Sequence, residues 1–284
     1  MSHRIDSHRI DSPTPPAAIR RGRPHSLVLG GLAATVAVLA ASAAPATAAT
    51  VFALVGDDRL AMVDPATRAV AAPVAIEGVE GRILGIDVRP ADGKLYALYA
   101  DGTIAVVDTK RGRAEATAKL STMLPDGVTA TVDFNPAADR LRVIGSDGTN
   151  LRVNVGDGKV VTDGKLAFAA TDMHKGEAPM IVAGAYTNSV AGTKETALYD
   201  IDGTIGALVK QAPPNDGVLN AVGKLGIMPK AVAFDIVADG KGGNTAWMVA
   251  DGRLYTVDLA TGRASETGAL QGVEADVRDI AILP

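Results

Sequence analysis

The chain repeats itself at long range. Aspartate recurs in one setting as Asp87 in GIDV, Asp133 in VDFN, Asp235 in FDIV and Asp279 in RDIA. Ala185, in GAYTNS, occupies the same frame between the second and the third, so the spacing runs from 44 to 52 residues. A period of that length belongs to propellers and solenoids, and it constrains the fold more than any other feature of the sequence.

Each repeat divides into four short runs rich in β-branched residues, separated by Gly and Asp turns. In the first repeat these are ILGIDV, KLYALYA, TIAVVD and RAEATAKL, with PADG, ADG and TKRG between them. Helical periodicity is nearly absent. Four antiparallel strands per repeat make a propeller blade, and a ring of blades leaves only short sheet edges. The ends of the chain set the number of blades. Residues 51–76 supply the second, third and fourth strands of a blade but no first, and the terminal DVRDIAILP is a first strand with nothing after it. The expectation is an all-β, five-bladed β-propeller with four antiparallel strands per blade, closed by pairing of the C-terminal strand with the N-terminal blade.

The first 48 residues read differently. Arg20, Arg21, Arg23 and His25 form a basic cluster before an apolar, Ala-rich run at 27–44, and Ala46-Thr47-Ala48 fits a small-x-small cleavage signal. We read residues 1–48 as a leader with cleavage near Ala48, and 49–284 as a single propeller domain of an exported protein. The Arg pair raises twin-arginine export, although RRGRPHS lacks that signal's apolar residues after the pair. No later segment is long and apolar enough to predict a lasting membrane span.

The leader removes five arginines and two aspartates, so the formal net charge of −4 becomes −7. An acidic chain is a poor candidate for nucleic acid, which needs a basic face. With no cysteine in the chain, disulfides, thiolate nucleophiles and Cys/His zinc sites are excluded. Of four histidines only His174 lies beyond the leader. No cofactor is implied, and any bound metal would need oxygen ligands, which favours calcium.

Three motifs resemble a known family: DFNPAADRLRVIGSDGTNLRVN at 133–154, AYTNS at 185–189, and TALYDIDGTIGALVKQAPPNDGVLNAVGKLG at 196–226. They are similar to the domain of unknown function 4394 family, whose members are exported bacterial proteins without an assigned activity. The resemblance implies export and a propeller-like fold but no site residue. The chain departs from the family at Ala212, where Asn is usual.

Candidate site residues come from the repeat and from its breaks. A blade's first strand lines the channel, so Asp87, Asp133, Asp235 and Asp279 could form a carboxylate ring that binds a cation. Alternatively, each accepts backbone hydrogen bonds within its own blade. Asp64, Asp108, Asn154 and Asp258, at the ends of third strands, read as turn caps. The third repeat breaks the pattern at Ala185 and adds YTNS, LYDID and QAPPNDG, which makes Tyr186, Asn188, Asp200 and Asp202 polar candidates. The second repeat carries Arg140, Arg142 and Arg152, which could hold an anion or pair with the repeat's own carboxylates. His174 lies near no nucleophile motif.

Two classes of function follow. The first is a non-catalytic binding or scaffold module for a small ligand, a glycan or a protein partner. The second is a glycosidase-like or lactonase-like hydrolase using channel carboxylates, the latter with calcium. Aromatics are only 4% of the chain, which weighs against sugar subsites.

Overall fold

The structure is a computed structural model that describes residues 49–272 and 276–283. The expected leader and its cleavage signal lie outside the described residues. Apart from a single 3-10 turn at Pro214–Asp216, the described residues contain no helix.

The strands run in chain order. Thr50–Val55 (β1), Arg59–Val63 (β2) and Val74–Ala75 (β3) open the chain. Blade one is Ile83–Arg89 (β4), Lys94–Tyr99 (β5), Thr103–Asp108 (β6) and Arg113–Lys119 (β7). Blade two is Ala130–Asn135 (β8), Arg140–Gly145 (β9), Asn150–Val153 (β10) and Val160–Thr162 (β11). After the short Ala167–Phe168 (β12), blade three is Ile181–Tyr186 (β13), Leu198–Asp202 (β14), Ala207–Gln211 (β15) and Val218–Lys224 (β16). Blade four is Val232–Ala238 (β17), Asn244–Ala250 (β18), Arg253–Val257 (β19) and Ala264–Ala269 (β20), and Val277–Leu283 (β21) ends the chain.

These strands form five antiparallel sheets, a five-bladed β-propeller. The fifth blade has the order β21-β1-β2-β3, so its first strand comes from the far end of the chain. Its register pairs Thr50 with Leu283 and Leu54 with Asp279. The first strands touch in the order β21, β4, β8, β13, β17 and back to β21, which closes the ring. Blade three differs by taking β12 as a fifth, outer strand parallel to β16.

The pleat explains why the strands are apolar on both sides. In β1, Phe52 and Leu54 pack against blade one, whereas Val51, Ala53 and Val55 pack against blade four. Every blade is covered on two faces, so near-continuous apolar runs replace alternation. The core is accordingly five apolar clusters, one in each space between neighbouring blades. The turns follow the sequence reading. Asp64 accepts from the Ala66 and Thr67 N–H groups, Asp108 from Lys110 and Arg111, Asn154 from Gly156, and Asp258 from Ala260 and Thr261.

Candidate functional site

The recurring aspartates stand on the first strands, and each turns toward the next blade. Asp279 accepts from the Ile86 N–H at 2.8 Å, Asp87 from Phe134 at 2.6 Å, Asp133 from Tyr186 at 2.9 Å and Asp235 from Ile282 at 2.7 Å. Asp87, Asp235 and Asp279 also accept the N–H of the residue that follows them. The expected bonds within one blade are thus present at three of the four aspartates, and at all four a bond to the next blade is made as well. First strands of different blades share no ladder, so their N–H groups facing the joint need an acceptor, and a carboxylate reaches across.

One joint lacks an aspartate, because Ala185 stands in its place on β13. The segment after β13 supplies the joint instead. Ser189 Oγ donates to the Ile236 carbonyl at 3.0 Å and accepts from the Ala238 N–H at 3.1 Å. Asn188 accepts the Nδ2 donor of Asn244, whose Oδ1 takes the Asn188 N–H. Asn188 adopts φ 58°, a left-handed conformation that Asn tolerates better than most residues. The YTNS break and the missing carboxylate are thus two halves of one substitution.

Where the first strands end, the ring encloses a cavity of about 190 Å³ lined by residues of all five blades. Its wall holds Asp87, Asp133 and Asp235 beside Ser189 and an apolar side that includes Phe134 and Ile282. Among the described residues no Lys, Arg or His belongs to that lining. One oxygen of each of the three carboxylates lies within 4.8 Å of the others. Burial pushes the Asp87 carboxyl well above the usual range, and the charge of Asp235 pushes it further. Burial does the same to Asp133, with Asp87 and Asp235 adding to it. Burial also raises Asp235 to about 7 and Asp279 to about 8, against the backbone N–H groups that favour the charged form.

The arginines lie elsewhere, between blades two and three. Arg142 is buried, donating to Tyr186 Oη at 3.1 Å, Asn150 Oδ1 at 2.8 Å, Asp163 Oδ2 at 2.7 Å and Asn215 Oδ1 at 2.8 Å. Arg152 reaches the same carboxylate at 2.6 Å and 2.9 Å. Burial alone would raise Asp163, but its bonds to Arg152 and Arg142 prevail and hold it below the usual range. Both arginines therefore pair with a carboxylate of their own blade, although not with a ring aspartate. Among the described residues, the Arg140 side chain bonds to the carbonyls of Ala138 and Asp139.

Blade three's candidates also face inward. Tyr186 is buried against Arg142, and Asp202 caps its turn through the Thr204 and Ile205 N–H groups. Asp200 is fully buried, and among the described residues neither of its oxygens has a hydrogen-bond partner. It lies against the bare Cα of Gly184, where a Cβ would collide with it. Burial pushes its pKa up to about 8, with the charge of Arg142 offsetting only part of the rise. His174 pairs with Glu177 at 3.0 Å.

Of the candidate residues singled out in the sequence, the cavity brings together Asp87, Asp133 and Asp235. Asp279 holds the joint between blades five and one, Tyr186, Asn188, Asp202, Arg142 and Arg152 serve joints, turns and the polar contact between blades two and three, and Asp200 is buried against Gly184. Sequence reasoning missed Asp163 and Ser189. Arg142 in the apolar run RLRVIG was the signal for the first, since an arginine there needs a buried acceptor. The missing aspartate at Ala185 was the signal for the second.

Among the described residues no helix is long and apolar enough to cross a membrane. No curated protein matches the chain. Among solved structures, a protein of unknown function from Bacteroides caccae is 15% identical with a TM-score of 0.44, the match covering 80% of this chain and 76% of that one. A second, from Bacteroides thetaiotaomicron VPI-5482 and also of unknown function, is 16% identical with a TM-score of 0.50, covering 84% of this chain and 65% of that one. At such identities the likeness concerns the fold alone. In sequence, the family model for the domain of unknown function 4394 matches residues 59–281, and the chain belongs to that family.

Proposed function

We propose that the protein is an exported, non-catalytic binding module whose ligand site is the axial cavity, and that the ligand is small and positively charged. One observation carries this reading: among the described residues, three buried carboxylates share a cavity whose wall holds no basic side chain. Buried like charges are costly unless a proton or a cation compensates them, so the wall favours a cation over a neutral or anionic ligand. The apolar side of the wall suits a ligand that is not fully hydrated.

The hydrolase alternative finds less support. The Ser189 hydroxyl donates to the Ile236 backbone carbonyl and not to a side-chain base. Phe134 is the sole aromatic residue of the lining, a poor platform for a sugar.

Thermal-shift and calorimetric titration against calcium, magnesium, short alkylammonium ions and a panel of neutral glycans tests the reading. A cation should raise the melting temperature, and Asp133→Asn should abolish the response. Binding of a neutral glycan that Asp133→Asn leaves intact would overturn it. Export is tested separately by sequencing the secreted protein from its N-terminus. The sequence should begin at Ala49 or Thr50, and a retained 27–44 segment would refute cleavage.

A further inference from the structure

We propose that Asp200 makes the joint between blades two and three a pH-sensitive latch, which its neutral carboxyl keeps closed and its carboxylate loosens. The proposal is independent of what the axial cavity binds.

The repeat itself marks the place. Where first and second strands pair, one residue before the ring aspartate, blades one, two and four set two buried apolar side chains opposite each other. The pairs are Ile86 with Ala97, Val132 with Val143, and Phe234 with Met248. Blade three has Gly184 and Asp200 there. The two changes fit each other, because a Cβ on Gly184 would collide with the Asp200 carboxyl. Thr131, on the first strand of blade two, meets the same spot from the other side of the joint. Leu198, two residues before Asp200 on β14, packs with Ile144 between these blades, so the pleat turns Asp200 toward blade two.

Closed, the joint gives an ionised Asp200 no hydrogen bond. The residue is fully buried, and among the described residues both of its oxygens lack a donor. Arg142, on β9, is the cation whose charge reaches it. Four of the five N–H donors of Arg142 are given to Tyr186, Asn150, Asp163 and Asn215. The other ionisable groups around the joint are committed too. Tyr186 of β13 accepts from Arg142, Asp163 is held by Arg142 and Arg152, and Asp202 of β14 caps its turn. Asp133 of β8 accepts the Tyr186 N–H, and β15 sets the apolar Val209 opposite Asp200. The ring aspartates differ, since each accepts at least one backbone N–H, a bond that strengthens on ionisation. A carboxylate at position 200 gains its donors from water, once the joint parts.

Parting this joint breaks no strand ladder, because blades two and three are separate sheets. The opening is therefore smaller than global unfolding. Burial raises the carboxyl from 3.8 to about 8, and the charge of Arg142 offsets only part of the rise. The closed state thus holds the proton more tightly than the open one. Closure is at full strength below about pH 4, and the opening equilibrium grows up to about tenfold per pH unit until the closed value near 8 is passed.

The test is hydrogen exchange by mass spectrometry on wild type and Asp200→Asn at pH 6 and pH 8. Comparing the two proteins at one pH cancels the intrinsic pH dependence of amide exchange. Amides of β9, β13 and β14 should exchange faster in the wild type, by a ratio that grows up to about tenfold per pH unit from pH 6 to pH 8. Amides of blade one should show no such growth. A ratio that stays constant overturns the latch, and one that grows equally in all five blades overturns its place at this joint. If Asp200→Asn fails to fold, wild-type protection corrected for intrinsic exchange makes the same test. It should fall in β9, β13 and β14 while blade one holds, and a flat or uniform profile overturns the proposal.

Discussion

Asp200 offers a stability prediction whose sign changes the pH profile. Its carboxyl is fully buried without a hydrogen bond, and the pKa rises from 3.8 to about 8. The folded protein therefore holds this proton more tightly than the unfolded chain does. The group costs nothing below about pH 4, costs progressively more as the pH rises, and levels off above the folded value near 8. Each pH unit in that window is about 1.4 kcal/mol, so from pH 5 to pH 8 the loss reaches about 4 kcal/mol. Asp200→Asn is nearly isosteric and cannot ionise, which removes the slope while preserving the packing against Gly184. In a domain of this size about 1 kcal/mol corresponds to ~2–4 °C. Melting curves of wild type and Asp200→Asn should nearly coincide close to pH 4, and the variant's lead should grow by roughly 10 °C between pH 5 and pH 8. Taking the difference between the two proteins cancels the titration of the other buried carboxylates. Difference curves that stay flat from pH 5 to pH 8 would refute the buried, unpaired carboxyl.

Two further predictions concern the ring. Truncation before Asp276 removes β21, and with it the burial of Val277, Ile280 and Ile282, worth roughly 5–9 kcal/mol. That approaches the whole stability of a typical domain, about 5–15 kcal/mol, so circular dichroism should show a protein that no longer folds cooperatively, whereas an intact melt would refute ring closure. Arg142→Ala leaves Asp163 buried without its inner partner and should cost about 3–5 kcal/mol in urea denaturation, with a loss under 1 kcal/mol counting against the network.

The fold was legible because a propeller writes its architecture into the chain many times. Each blade needs the same four runs and the same Asp or Asn turn caps, and the unmatched ends of 51–76 and DVRDIAILP left only one economical closure. The recurrence of Asp87, Asp133, Asp235 and Asp279 was equally plain, but its purpose was not. A period along the chain shows that a residue serves the repeat, and it says nothing of lateral neighbours. The carboxylates bond to the next blade because joints between first strands have no ladder of their own. For the same reason the sequence showed that Ala185 breaks the pattern without showing that Ser189, four residues on, restores the joint. Asp163 was hidden in VTDGK, which reads as an ordinary turn until Arg142 and Arg152 close upon it. Asp200 was hidden differently: its isolation follows from Gly184 and the packing of blade three, neither of which strand patterning reveals.

The proposed cation site is the axial cavity, where the first strands of blades one, two and four bring three carboxylates together. Anomalous diffraction from crystals grown in calcium, with manganese as a second soak, measures that directly. Cation binding in the cavity predicts an anomalous peak beside Asp87, Asp133 and Asp235, in a closed five-bladed ring. A cavity holding only water at saturating calcium, with the three carboxylates hydrogen-bonded to one another, would contradict it.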